Sequence, residues 1–443
     1  MNSRIVFGGA LLAGLCASAA VPKVENVTTT QDAMRKVTVN YTLSGEAGIV
    51  TLAAQTNRGD GVWVDVSPDN LAYVAGDVNK VVETGDRSLT WQPHKSWPDQ
   101  FIAGGNIRIG VKAWSKSAPP DYMVVSLVSS KDIRFYPSKG AIPGGVQDDK
   151  YKTDYLVMRK IPAGGVTWRM GSPATETGSS DCRASETPHE VTLADDYYIG
   201  VYPVTQRQYQ LLKNNERPSF FSLDADYLTR PVENISYEDL RGTKANGFDW
   251  PNNLHAVKAG CFIDNLRTLS GIVDFDLPTD AQWEFACRAG CGAALYNGTE
   301  LELNGEDKNG KAINNGTSTN LASIARYKMN GGFVGGKTSP TATCTAANGS
   351  AKVGSYAPNA WGLYDMLGNV WEWCLDWYQE NPSDPGSPFN PEVGPISGSN
   401  RVTRGGCWYF DASYNRNARR NTTAPSTRSK SIGFRVACPA GIQ

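Results

Sequence analysis

The sequence predicts an α+β chain in two parts, an N-terminal β-sandwich followed by a larger mixed domain rich in loops. Three observations carry this. Short β-rich runs recur between turn signals from Val24 to about Pro137, at the spacing of an immunoglobulin- or fibronectin-like sandwich. Beyond Tyr155 the strong local signals are helix starts, separated by long aperiodic stretches. With 443 residues, the chain is also long enough for two domains.

Taken in order, the first twenty residues combine the positive start "MNSR", the apolar run "IVFGGALLAGL" and the small-residue end "CASAA". That is the pattern of a secretory signal peptide, expected to be cut near Ala19 or Ala20. The run is too short to span a bilayer, and no later segment is a spanning candidate, so a periplasmic or secreted protein is expected. The sandwich is assigned to residues 21–136, with "KVTVNYTL", "GIVTLAAQT", "GVWVDVS", "NIRIGVKAW", "YMVVSLV" and "DIRFY" as strands. Residues 137–154 read as a linker with Gly, Pro and charge but no periodicity, and 155–438 as the second domain. There "VTQRQYQLLKNN" and "LPTDAQWEFACRAG" open with capping boxes, Thr205 with Gln208 and Thr279 with Gln282. Trp283, Ala286 and Cys287 fall on the inner face of the second helix. A third helix is expected over "NLHAVKAGCFIDNLRTL".

The balance of 43 basic and 44 acidic residues gives a net charge of -1, which offers no electrostatic case for a nucleic-acid partner. The basic run Arg416–Arg420 is the main exception and reads as a solvated or salt-bridged loop. Eight cysteines remain after the leader, an even number that favours disulfides in an oxidising compartment. No C-x-x-C pair occurs and the three histidines are scattered, so a zinc site is not indicated.

The segments "IPAGGVTWRMGSP", "PHEVTLADDYYIGVYPVTQRQYQ", "RPVENISYEDL", "LPTDAQWEFACRAG", "VGSYAPNAWGLYDMLGNVWEW" and "RVTRGGCWYF…SIGFRVA" occur in one order along the second domain. Together they resemble the formylglycine-generating enzyme, or sulfatase-modifying factor, family. The resemblance implies a variant C-type-lectin-like fold, with Arg241–Asn252 as a surface insertion. It also implies a structural Ca2+ in "YDMLGNVWEW", with Asp365 and Glu372 as hard oxygen ligands and Gly368 and Val370 as carbonyl donors. Cys261 with Cys438 is the disulfide it suggests.

The copper-dependent oxidases of that family use two cysteines, in the fourth and ninth places after the glycine pair of "RGG". Those places hold Phe410 and Asn415 here, neither a useful Cu(I) ligand, so copper is not expected. Two readings follow. One is a noncatalytic module binding an exported protein or glycan through Tyr409, Phe410, Tyr414, Asn415, Arg416, Arg419 and Arg420, with Trp408 more naturally a core residue. The other is an oxidase that converts a sulfatase cysteine to formylglycine through an atypical ligand set such as Cys374 with Cys407.

Overall fold

A computed structural model describes residues 21–442 apart from 58, 99–105, 174, 177–183, 224, 253–254, 302–303, 307–311, 332–348 and 383–389. The leader therefore lies outside the described residues, as do Cys182 and Cys344.

The first eight strands are β1 (Lys23–Gln31), β2 (Val37–Ser44), β3 (Gly48–Asn57), β4 (Trp63–Asp65), β5 (Val74–Gly76), β6 (Val81–Val82), β7 (Gly85–Trp91) and β8 (Ile107–Trp114), with a one-turn helix α1 (Pro93–Ser96) after β7. They form two antiparallel sheets, one ordered β1-β2-β7-β5 and the other β4-β3-β6 with β8 also paired to β3. Strand alternation sets the core. Val37, Val39, Tyr41 and Leu43 of β2 point inward and share one cluster with Val50, Leu52 and Ala54 of β3.

Here the structure departs from the expected boundary. β9 (Tyr122–Ser126) and β10 (Ile133–Tyr136) were assigned to the sandwich, but they start a second sheet with β11 (Tyr155–Ile161), β14 (Tyr197–Gly200) and β21 (Ala437–Pro439), ordered β10-β9-β11-β14-β21. All five residues of β9 are buried, the signature of a strand covered on both faces rather than one. One face meets the main core through Met123, Val125, Leu156 and Met158. The other is covered by residues of the expected linker, where Ala141, Ile142, Val146 and Tyr151 pack against Tyr122, Val124 and Val157. The stretch 137–154 is thus a packed layer, with a 3-10 turn at Asp149–Lys152 capped by Asp148.

A hairpin of β12 (Thr167–Met170) and β13 (His189–Thr192) precedes β14. The helices are α2 (Gln206–Leu212), α3 (Tyr237–Arg241), α4 (Phe262–Ser270), α5 (Asp280–Arg288) and α6 (Thr319–Ala322), and a small pair, β15 (Asn304–Glu306) with β16 (Ala312–Thr317), lies before α6. Both expected capping boxes form, and Ser236 with Asp239 makes a third at α3. The third expected helix is shorter than its sequence pattern. Gly260 takes φ 74° and Cys261 caps α4, its Sγ accepting the Asp264 N–H at 3.4 Å, so residues 255–261 are not helical, and the first two expected positions, 253–254, lie outside the described residues. Nor is Arg241–Asn252 purely a surface insertion. Arg241 is fully buried against Asp276 at 2.8 Å, and Trp250 is buried too.

The last sheet, β19-β18-β17-β20, comprises β17 (Trp371–Trp377), β18 (Arg401–Arg404), β19 (Arg420–Thr423) and β20 (Ile432–Gly433), with β17 and β20 parallel. Every residue of β17 is buried. Trp371, Trp373 and Leu375 enter the main core, while Cys374 on the opposite face joins the cluster built on Trp283 and Ala286 of α5. The Trp-rich run is thus a strand inserted between two cores.

Thr205 couples two of these layers, because its Oγ1 accepts the Gln208 N–H at 3.3 Å and donates to the Lys152 carbonyl at 2.7 Å. Thr205→Ala should cost about 1–2 kcal/mol in urea unfolding, the usual loss for a buried cap, whereas Thr205→Ser should stay near wild type. Equal stability of all three proteins would remove the coupling.

Candidate functional site

The site is set by the turn that leaves β18. Gly405 and Gly406 both take positive φ, 97° and 79°, and a Cβ on Gly406 would lie 2.2 Å from Asn415 Oδ1, so glycine is required there. Asn415 is fully buried and its Nδ2 donates to the Asp411 carbonyl at 2.8 Å, closing the loop 406–415 on itself. Phe410 belongs to a continuous series of tilted rings. Centroids step 4.9 Å from Trp408 to Tyr409, 4.8 Å to Phe410 and 4.8 Å to Tyr414, and Arg419 lies over the Tyr414 ring at 4.3 Å. Trp371 meets Phe410 from beneath at 5.9 Å.

Of the expected surface residues, Tyr409, Phe410, Tyr414 and Arg419 are partly exposed and adjacent. The other three are corrections. Asn415 is the loop clamp just described. Arg416 is buried with its guanidinium on Glu176 at 2.6 Å and Glu186 at 2.8 Å. Arg420 is buried on Asp280 at 2.8 Å. In a loop-rich domain a guanidinium can replace absent secondary structure by bridging distant segments, and sequence alone does not separate that use from a solvated one. Trp408, 3% exposed, is a core residue packed on Phe221.

Sequence reasoning missed Phe220, Phe221, Glu233 and Lys430, which flank the aromatic series. Phe220 is exposed, with Lys430 Nζ 5.5 Å from its ring centre. Glu233 accepts the Phe221 N–H at 3.0 Å on Oε1, while Oε2 has no hydrogen-bond partner. Burial pushes its carboxyl up to about 8. Glu233 does stand in "RPVENISYEDL", but nothing local marks it as buried.

The cysteine expectations fail. The six described cysteines are all free thiols, including Cys261 and Cys438, so neither that disulfide nor any other forms among the described residues. Cys374 and Cys407 also lie in different core clusters. Burial pushes the Cys407 thiol up to about 12 and raises that of Cys374 well above the usual range. The two thiols therefore sit in separate parts of the core rather than side by side.

At the expected calcium loop the two carboxylates differ. Glu372 is engaged, accepting from Arg435 on both oxygens at 2.6 and 2.7 Å and from the Trp283 indole N–H at 2.6 Å. Asp365 sits at φ 54°, buried, with Oδ2 accepting the Gly354 N–H at 2.7 Å and Oδ1 unpartnered. An orphaned buried carboxylate oxygen fits a cation, or else a proton. Burial pushes the Asp365 carboxyl up to about 6. Among the described residues no three His, Cys, Asp or Glu side chains converge on a metal position, so an ion here would need the Gly368 and Val370 carbonyls.

If Arg416 were a surface residue, its removal would be nearly silent. Its burial between two glutamates predicts instead that Arg416→Ala destabilises the fold by about 3–5 kcal/mol, because it removes a buried guanidinium that both carboxylates share. Denaturant titration decides it, and a loss below about 0.5 kcal/mol would return Arg416 to the surface.

Residues 147–440 match the sulfatase-modifying factor enzyme 1-like domain family. The formylglycine-generating enzyme of Mus musculus is 34% identical over 165 residues, covering 36% of this chain and 38% of that enzyme. That of Thermomonospora curvata is 34% identical over 171 residues, 36% of this chain and 48% of the enzyme. Serine/threonine-protein kinase pkn1 of Chlamydia pneumoniae is 28% identical over 271 residues, 59% of this chain and 36% of the kinase. The chain thus spans about half or less of the length of these relatives. Among solved structures, Treponema denticola variable protein 1 superposes with a TM-score of 0.44 at 25% identity, covering 64% of this chain and 95% of that one. PvdO from Pseudomonas aeruginosa gives 0.41 at 23% identity, covering 64% and 94%. Because the family match takes in more than half of its residues, the chain belongs to the sulfatase-modifying factor enzyme 1-like domain family.

Proposed function

We propose that this chain is an exported, noncatalytic recognition module of its family. Its family domain binds a protein or glycan through Tyr409, Phe410, Tyr414 and Arg419, and an immunoglobulin-like N-terminal sandwich acts as the spacer. The observation that carries the reading is the fate of the two places where the family's oxidases hold copper. Phe410 occupies one as part of a tilted ring series, and Asn415 the other as a buried backbone clamp. Aromatic rings with an arginine at the margin offer apolar area at low conformational cost, the composition of a contact surface. Export rests on the leader pattern of residues 1–20. Among the described residues no helix is long and apolar enough to cross a membrane.

The same proposal includes a structural calcium ion held by Asp365, the carbonyls of Gly368 and Val370, and Glu372. Its support is the unpartnered Asp365 Oδ1. Arg435 already neutralises Glu372, which places the ion in the weak class, with a dissociation constant of about 0.1–1 mM.

Screening the protein on glycan and peptide arrays tests the binding surface. Tyr414→Ala and Arg419→Ala should each weaken the strongest interaction by about tenfold or more. A ligand indifferent to both substitutions removes this surface, and copper-dependent conversion of a cysteine-containing sulfatase peptide to its aldehyde removes the noncatalytic reading. The calcium proposal is tested by melting wild type and Asp365→Asn with calcium or chelator across pH. Without calcium, the folded Asp365 carboxyl near 6 lies above its unfolded value of about 4. Its contribution is therefore full below pH 4 and lost as pH rises through 6. Above pH 6 in chelator the Asn variant should exceed wild type by on the order of 2 kcal/mol. Calcium should then raise wild type more than the variant, and an identical response of both proteins excludes Asp365 as a ligand.

A further inference from the structure

A cavity of about 150 Å³ lies away from the aromatic series, where the segment before α5, the loop 390–394 and the C-terminal strand β21 meet. Its size matches cavities that take a benzene-sized guest, so a four- to six-atom group fits. Trp250, Leu277 and Leu375 supply apolar wall, and Trp250 is fixed because its indole N–H donates to the Val393 carbonyl at 2.9 Å. Three carboxylates also line it, Asp274, Asp276 and Glu392.

The charges do not balance. Asp276 is committed to two guanidiniums, Arg241 at 2.8 Å and Arg267 at 3.2 Å. Asp274 and Glu392 form no ion pair among the described residues, and Glu392 only accepts the Ala194 N–H at 2.8 Å. His255, also in the lining, sets its ring edge-on to Trp250 at 4.7 Å and adds aromatic wall. The Asp274 charge reaches the inner wall, where it adds to burial in raising the Cys438 thiol. An apolar, aromatic-sided cavity with two carboxylates lacking counter-ions is complementary to a cation on a short apolar stem.

We propose that this cavity binds a primary alkylammonium group, entering with its methylenes against Trp250, Leu277 and Leu375 and its ammonium between Asp274 and Glu392. The group is either a lysine side chain of a partner protein or a small free amine. Neither the neutral isostere nor an anion satisfies both carboxylates.

Calorimetric titration with n-butylammonium chloride tests this. Saturable binding with a dissociation constant on the order of 1 mM is expected, within what about five non-hydrogen atoms can supply. 1-Butanol should bind about tenfold more weakly, and Glu392→Gln and Asp274→Asn should each weaken the amine severalfold. Glu392→Gln keeps an oxygen for the Ala194 N–H, and unchanged melting of either variant confirms that its fold is intact. Comparable binding of Nα-acetyl-lysine methylamide identifies the lysine side chain as the guest, and rejection of it with butylammonium retained identifies a free amine. Either supports the site. No saturable heat, equal affinity for butanol, or both variants binding as wild type would overturn it. Tyr414→Ala should leave amine binding unchanged, so the outcome is independent of the aromatic surface.

Discussion

Asp280 is the residue on which the second domain is organised. It opens α5 directly after the Thr279 cap, so the helix N-terminus favours its charge. Its two oxygens take the guanidiniums of Arg404 from β18 and Arg420 from β19. Burial works against this charge, yet the two arginines hold the Asp280 carboxyl below the usual range. The helix, both strands and the connecting loop 405–419 are thereby fixed to one point. Glu284, one turn on, adds a second contact to Arg404 at 3.0 Å. Such pairs do not add much net stability compared with apolar residues of equal volume, but they penalise every arrangement that separates them. In a domain whose described strands are short and whose described helices reach nine residues at most, that penalty does the organising that regular structure does elsewhere.

The same logic accounts for the loop that carries the candidate surface. Once Arg404 and Arg420 are tied down, the residues between them must close a tight excursion. Two left-handed glycines begin it and the Asn415 amide finishes it. What faces outward afterward is decided by geometry, and the outward side chains are aromatic. Within the excursion Phe410 serves packing and Asn415 serves shape.

Local rules were legible in the sequence wherever a local interaction decides the outcome. The boxes at Thr205 and Thr279 need only residues three apart, and both formed. The alternation along β2 is equally local, with Val37, Val39, Tyr41 and Leu43 buried. What was not legible depended on partners remote in sequence. β9 reads as one more sandwich strand until β11 is known to lie beside it. Residues 137–154 lack periodicity because they cover a sheet as irregular chain, and they hold no continuous apolar run that would mark them as buried instead. Arg416 and Arg420 look solvent-bound because their carboxylates lie 240 and 140 positions away. Glu372 likewise meets a guanidinium that its sequence neighbourhood does not announce, that of Arg435, 63 residues on.

The placement of β9 and β10 has a practical bearing on how this protein can be divided. Excising the family domain at its matched start, residue 147, would strip β11 of its neighbour β9 and leave a bare row of amides and carbonyls flanked by apolar side chains. Such a fragment is a template for stray strand addition and should precipitate or self-associate. A cut after Trp114, some thirty residues ahead of where the family match begins, would keep that sheet whole, although Ile49 of β3 would still leave the main core.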